Sequence, residues 1–377
     1  MRRNEITRIL IDRFLGAGGP NWGCGVAWRR HWWYRRAPFV MIVFPRFLFP
    51  LVILGLSASG FGQETTARVR APQEVVAAIR SQLATEKGPI KDWYATRNYE
   101  PAWDGVNLAA LAQFLANLDR HGLRPELFHL ERWLQTWQTL PSTAADSARV
   151  DIGTSHLALY AIQSLAYGLV DPASVHAKWT AIPRTLTPVS LLNQALEQGP
   201  GDFARWLEEN AAPRDPRYRN LVATLARYRE IAGLGGWKSL PAPPRPVGPN
   251  EPYSDVPLLR ARLRAEGDLP ASAPQIRSKV IDPETATALK SFQFRHGIEP
   301  DAVIGPQTLM ELNHPVGHRL DNLVINLERL RWMPRDYERA SHLEVNIAEN
   351  ALRLFSEGRS VDTMRVIVGI KGLHQTP

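Results

Sequence analysis

Residues 241–252 read PAPPRPVGPNEP, with prolines at 241, 243, 244, 246, 249 and 252. Each proline lacks a backbone N–H and fixes φ, so the run excludes helix interior and predicts an extended, stiff path. It divides the chain. Before it, hydrophobic positions recur with a helical period, and after it comes a short set of helical patterns that gives way to alternation. The expected fold is mainly α followed by an antiparallel β-meander, α+β overall.

On the N-terminal side, QEVVAAIRSQLATEK (73–87) places Val75, Val76, Ile79 and Leu83 on one helical stripe. Leu108, Leu111, Phe114, Leu115 and Leu118 form a second stripe, with Asn107 as its expected cap and Gly122 as its stop. Residues 146–168 predict a longer helix ending at Gly168, and Asp202 and Asp215 are positioned to open two more.

Beyond the prolines, Val256–Glu266, Pro283–His296 and Pro306–Leu312 read as three short helices. Asp282 caps the second, and Pro283 takes its first position. Leu259, Leu263, Ala286, Leu289, Phe292, Phe294, Ile298, Ile304, Leu309 and Leu312 are the expected core. About 60 residues make a marginal core, so packing on neighbours is expected. A further helix spans His318 to Trp332. From His342 the period becomes two: His342–Ile347, Ala351–Phe355 and Val361–Ile370 read as strands, joined at Glu349-Asn350 and at 356–359.

The composition, 44% hydrophobic and 22% charged over 377 residues, fits two or three folded domains and excludes wholesale disorder. The net charge of +8 invites a nucleic-acid reading. However, residues 1–62 hold nine arginines against two acids, so they carry +7 of it and leave the rest nearly neutral. No nucleic-acid partner is expected. In the same leader, FLFPLVILGL (47–56) follows Arg46 and precedes Ser57, Ala58, Ser59, Gly60 and Gly62, the order of a secretory signal. Cleavage is expected near Gly62–Gln63 and a true start at Met41. An uncleaved anchor is the rival reading, disfavoured because the apolar run is shorter than the roughly 20 residues of a membrane span. Membrane contact is expected only through this signal. The single cysteine, Cys24, lies in the leader, which excludes a disulfide framework and a multi-cysteine zinc site.

Phe292-Gln293-Phe294-Arg295-His296-Gly297-Ile298 and Ile304-Gly305-Pro306-Gln307-Thr308-Leu309-Met310-Glu311-Leu312-Asn313 resemble the second half of a peptidoglycan-binding-like module, a small three-helix bundle. Its usual turn is Asp-Gly; here Asp301 is followed by Ala302, which puts the turn geometry and glycan binding in question. Val324 to Pro334 (VINLERLRWMP), Val345-Asn346-Ile347, Val366 to Gly369 and Thr376-Pro377 resemble the entry to the catalytic domain of large, scaffold-bearing murein L,D-transpeptidases. Trp93-Tyr94, Pro101-Ala102-Trp103, Arg120 to Pro125, Tyr167 to Pro172, Trp179 and Gly235-Gly236-Trp237 resemble landmarks of that family's scaffold domain, in order.

The resemblance implies an exported envelope protein with peptidoglycan, both stem peptides and glycan strands, as its partner. The implied domains are a leader (1–62), a helical scaffold (63–240), the proline linker (241–252), a peptidoglycan-binding-like domain (253–316) and the start of a catalytic domain (317–377). In that family a cysteine in a Ser-His-Gly-Cys stretch, downstream of the Thr-Pro, attacks a stem-peptide carbonyl. This sequence has no cysteine after residue 24. Carry-over therefore assigns no catalytic residue, no cofactor and no metal, and His374 has no thiol to serve. The expectation is an L,D-transpeptidase-family chain cut short and inactive alone; the alternative is a non-enzymatic peptidoglycan-binding envelope protein. Glu328-Arg329 reads either as a buried ion pair or as two adjacent, non-facing charges. Trp93, Trp103, Trp179 and Trp237 read as core rather than sugar platforms, and Trp332 as a wedge between its helix and the meander.

Overall fold

The computed structural model describes residues 73–138, 143–176, 179–181, 185–334, 340–347 and 349–369. The leader with its apolar run, Cys24, His374 and Thr376-Pro377 lie outside the described residues. The architecture is mostly helical with a small three-stranded antiparallel sheet at the C-terminal end. Among the described residues no helix is long and apolar enough to cross a membrane.

The first body contains α1 (Gln73–Gln82), α2 (Pro89–Thr96), α3 (Gly105–Asn117), α4 (Leu130–Gln138), α5 (Ala144–Tyr167), α6 (Pro172–Val175), α7 (Pro188–Glu197), α8 (Pro200–Ala211) and α9 (Pro216–Gly233). The long helix α5 is its spine. Ala148, Asp151, Ile152, Ser155, Ala158, Ile162 and Leu165 recur at helical spacing and are buried. The small side chains among them let α1, α7 and α8 approach closely. Around the spine, Phe114 and Trp103 meet Phe203 edge-on at 6.4 and 6.5 Å.

The helix starts follow local hydrogen bonding, and two differ from expectation. The cap of α3 is Asp104, which accepts from Val106 N and Asn107 N, while Asn107 lies within the helix. An aspartate three residues earlier supplies both orphan amides with an acceptor, leaving Asn107 nothing to cap. Asp202 does not open α8, because Pro200 takes the first position behind Gly199. Asp215 caps α9 as expected, accepting from Arg217 N at 2.8 Å. The first helix ends at Gln82 rather than 87, although Leu83 remains buried.

The second body is a three-helix bundle of α10 (Val256–Glu266), α11 (Pro283–Arg295) and α12 (Pro306–Leu312). Leu259, Leu263, Leu289, Phe292, Ile304 and Leu312 are buried in one cluster. Asp282 caps α11 by accepting from Thr285 N at 2.7 Å. The expected core member Phe294 is instead 79% exposed. On α11 the inward positions are Ala286, Leu289, Phe292 and Gln293, and one further 100° step carries Phe294 off that face.

The proline run is extended, as read, but it is not a free tether. Val247 is buried and bridges to Ile304, whose amide donates to Val247 O at 2.8 Å. Asn250 N donates to Ile281 O, and Ile281 N donates back to Glu251 O. Leu240 enters the same core while exchanging two hydrogen bonds with the Asn313 side chain.

Helix α13 (Val316–Arg331) returns from the bundle to lie along α9, where Leu327 packs with Tyr218 and Leu225. The meander then runs β1 (His342–Asn346), β2 (Ala351–Ser356) and β3 (Arg359–Arg365). The third strand starts two residues earlier than the alternation indicated. Glu357 (φ 49°) and Gly358 (φ 76°) are both left-handed, the two-residue turn that sets Ser356 opposite Arg359. Every residue of β3 is exposed.

Candidate functional site

The second body turns on Gln293. Buried on α11, it accepts the Ala302 amide at 2.8 Å and donates to Asp301 Oδ1 at 2.8 Å and Val303 O at 3.1 Å. One amide side chain thus holds both edges of the 301–303 turn. Ala302 is fully buried with φ 60°. The left-handed turn that glycine makes without strain is therefore kept with alanine, at a cost of about 1 kcal/mol. On the outside of this bundle Phe294 and Met310 are both exposed, apolar groups without a core role.

A second buried knot ties the bundle to its neighbours. Glu266, at the end of α10, is fully buried among Arg262 (3.1 Å), Arg295 (3.0 Å), Arg319 (3.5 Å) and His296 (3.6 Å). It also accepts from Tyr228 of α9 at 3.0 Å, and Arg227 of α9 donates to its carbonyl. Burial opposes ionisation of Glu266. The nearby His296 imidazole and the charge of Arg262 outweigh it and hold the carboxyl far below the usual range. Arg262 lies 3.7 Å from the ring of Trp237, whose indole N–H donates to His314 O. Trp237 is thereby spent on the joint rather than offered to a sugar.

A third knot lies where α13 meets the first body. Glu328 pairs with Arg331, one turn on (2.9 Å), and Arg329 points elsewhere and is exposed. Of the two readings of Glu328-Arg329 the structure shows the second, adjacent charges that do not face each other, because adjacent helical positions diverge by 100°. Glu328 Oε1 accepts from Leu169 N (2.6 Å), Val170 N (3.0 Å) and Trp332 Nε1 (3.2 Å). Arg331 is buried and donates to His121 O and to Tyr218 Oη. His121 stacks on Tyr218 and meets Glu208 at 3.4 Å; burial lowers its pKa.

Two glycines make this approach possible. A Cβ on Gly122 would stand 3.2 Å from Val324, and one on Gly168 would stand 2.9 Å from the Glu328 carboxyl carbon. The segments 120–125 and 167–172, far apart in sequence, are both docking surfaces for α13.

Trp332 is buried and meets Trp179 edge-on at 5.8 Å and His176 at 6.2 Å, so it packs the end of α13 on rings that follow α6. The meander touches the first body through Glu344 of β1, 2.7 Å from Arg217. Trp93 and Trp103 are core residues, Trp103 donating to Ser155 Oγ at 2.8 Å. Ser155 belongs to a further buried polar cluster: Asp151 accepts from Tyr94 Oη and from the Ala102 and Trp103 amides. Sequence reasoning missed Asp151 and Glu266. Their signal was a charged residue on the same helical stripe as buried leucines or alanines. No three or more His, Cys, Asp or Glu side chains among the described residues are arranged to hold a metal ion.

Comparison with protein families places these bodies. Residues 88–225 match the model described as Scaffold domain, and residues 252–312 match the one described as Putative peptidoglycan binding domain. Neither match extends past 312, and no match to an L,D-transpeptidase catalytic domain was found. A search of curated proteins returns no match. The three-helix bundle coincides with the second model, and α2 to the first half of α9 carry the first, so the chain is similar over these two stretches to a scaffold domain followed by a putative peptidoglycan binding domain.

Proposed function

We propose that this is an exported cell-wall protein that holds peptidoglycan through the three-helix bundle, with the helical scaffold as a rigid mount. The observation that carries this reading is the peptidoglycan-binding match over 252–312, which spans the whole bundle. Exposed Phe294 and Met310 supply an apolar outer face for it. The basic, apolar and small-residue order around 47–56 supports export to the envelope. In this reading the domain limits are 63–240, 253–316 and 317–377. The test is co-sedimentation of the purified full chain with isolated sacculi. The chain is expected in the pellet and displaced by soluble peptidoglycan fragments; a chain left wholly in the supernatant would sink the reading.

A second reading, membership of the L,D-transpeptidase family, is favoured by one observation. Glu328, Arg331 and Trp332, within the stretch that resembles the entry to that family's catalytic domain, engage the segments that resemble its scaffold landmarks. That chemistry uses a cysteine thiolate, and residues 63–377 contain no cysteine. The role proposed for residues 63–377 is therefore binding, with no step of acyl transfer assigned to them. Incubating the processed chain with muropeptide donors is expected to give no cross-linked dimers; their appearance would restore the catalytic reading.

A further inference from the structure

A groove of about 570 Å³ opens beside Trp332, between His176 and Trp179 beyond α6, the first turns of α9 and the last turns of α13. This is the size of a small-ligand site. Its floor is aromatic: Trp332 is buried, and half-buried Trp179 meets it edge-on. His176 adds a third ring at 6.3 Å from Trp179. The polar groups at its rim are amides and cations. Asn220 and Asn326 present carboxamides, and Arg217 and Arg329 present guanidinium groups. Among the described residues no acidic side chain lines it.

The two arginines are not equivalent. Arg217 is held by Asp215 and by Glu344, each at 2.7 Å, so its charge is already answered. Arg329 is exposed, and among the described residues its guanidinium has no carboxylate partner. The helix that positions it is fixed by the Glu328–Arg331 knot one residue before and two residues after. An uncommitted cation on a rigid helix, beside an indole and two carboxamides, is complementary to a ligand with an anionic group, an apolar ring face and amides.

We propose that this groove takes one muramyl-peptide unit of peptidoglycan: the sugar's apolar face lies against Trp179, and a stem-peptide carboxylate pairs with Arg329. Asn220 and Asn326 then face the acetamido and peptide amides. The inference rests on the peptidoglycan reading and deepens it, because it adds a contact 70 residues or more in sequence from the matched binding domain on its scaffold side (Trp179) and another just beyond it (Arg329). A chain gripping the wall at two points gains avidity from linkage alone.

The test uses the full chain and a soluble disaccharide-tetrapeptide, with binding followed by calorimetry. Wild type is expected to bind, Arg329→Ala and Trp179→Ala each about tenfold more weakly, and Arg329→Lys in between. The same fragment with its carboxylates amidated is expected to lose affinity for wild type but not for Arg329→Ala. Unfolding midpoints of the variants within error of wild type show that the loss is not structural. Equal affinity of wild type and both alanine variants, or no binding of the fragment, overturns the groove assignment. If sacculi still sediment the chain in that case, the peptidoglycan reading survives; if they do not, it falls as well.

Discussion

The carboxylate of Glu328 occupies the space a side chain on Gly168 would need, and from there it receives the amides of Leu169 and Val170. Two residues 160 apart in the sequence thus define a single contact, and the contact fixes α13 on the scaffold. Gly168 also ends α5 at φ 91° and ψ 176°, a conformation essentially reserved for glycine. Gly168→Ala therefore meets strain and a clash together. The expected loss is about 3 kcal/mol in urea unfolding. A change below about 0.5 kcal/mol, the usual range of a surface substitution, would show that the contact does not govern stability.

Ala302 offers a finer measure of local strain. Glycine there would relieve a left-handed alanine, but it would give up a buried methyl group and enlarge the unfolded ensemble. Each of these effects is about 1 kcal/mol, so Ala302→Gly is expected within about 1 kcal/mol of wild type. Ala302→Val adds a β-branched side chain to a fully buried left-handed position and should cost at least about 2 kcal/mol. Equal stability of Val and Gly variants would mean the turn relaxes out of its left-handed form.

How much of this was readable beforehand depends on the distance over which the cause acts. The ends of α10, α11 and α12 were legible because proline, aspartate and glycine act within one turn; Val256–Glu266 is the helix the apolar spacing indicated. The extended proline run was legible too. Its pinning was not, because that depends on Ile281, Ile304 and Asn313 arriving from elsewhere. Phe294 was misread because a hydrophobic side chain next to a core position looks like a core member, whereas helical phase decides. The non-facing reading of Glu328-Arg329 holds, and the partner three residues on, Arg331, was not singled out beforehand. Arg262 and Glu266 could have been flagged: four residues apart, they flank Leu259 and Leu263 on one stripe, and a charge pair in that place is either buried together or misplaced.

That buried pair predicts the largest single loss in the three-helix bundle. Glu266→Gln keeps the volume but removes the charge that Arg262, Arg295 and Arg319 share. Breaking such a cluster by deleting one partner is expected to cost about 3–5 kcal/mol. Thermal unfolding of the variant would check it. A loss under about 1 kcal/mol would indicate that water or rearranged acids replace the carboxylate.

Acid should weaken the fold in two stages. Burial keeps His121 neutral below its ordinary pKa, so below pH about 6.5 the unfolded chain takes up that proton first and stability falls. Further down, carboxylates with depressed native pKa values lose their advantage. For Glu266 and Glu311 burial opposes ionisation, and the neighbouring His296, Arg262 and Arg319 outweigh it. Their contribution is full above pH about 4.3 and declines below it. Asp151, raised by burial despite the hydrogen bond from Tyr94, works in the opposite sense. The urea midpoint should therefore drop modestly from pH 7 to about 5 and steeply below about 4.3. A midpoint that rises on acidification to pH 4 would contradict this balance.

The proline run has one mechanical consequence. Because Leu240, Val247, Asn250 and Glu251 are each stitched to the bundle, a load applied across the bundle cannot be absorbed by uncoiling slack chain. It falls on several lateral bonds sharing the strain side by side, and from them passes through Glu266 into the long helices behind.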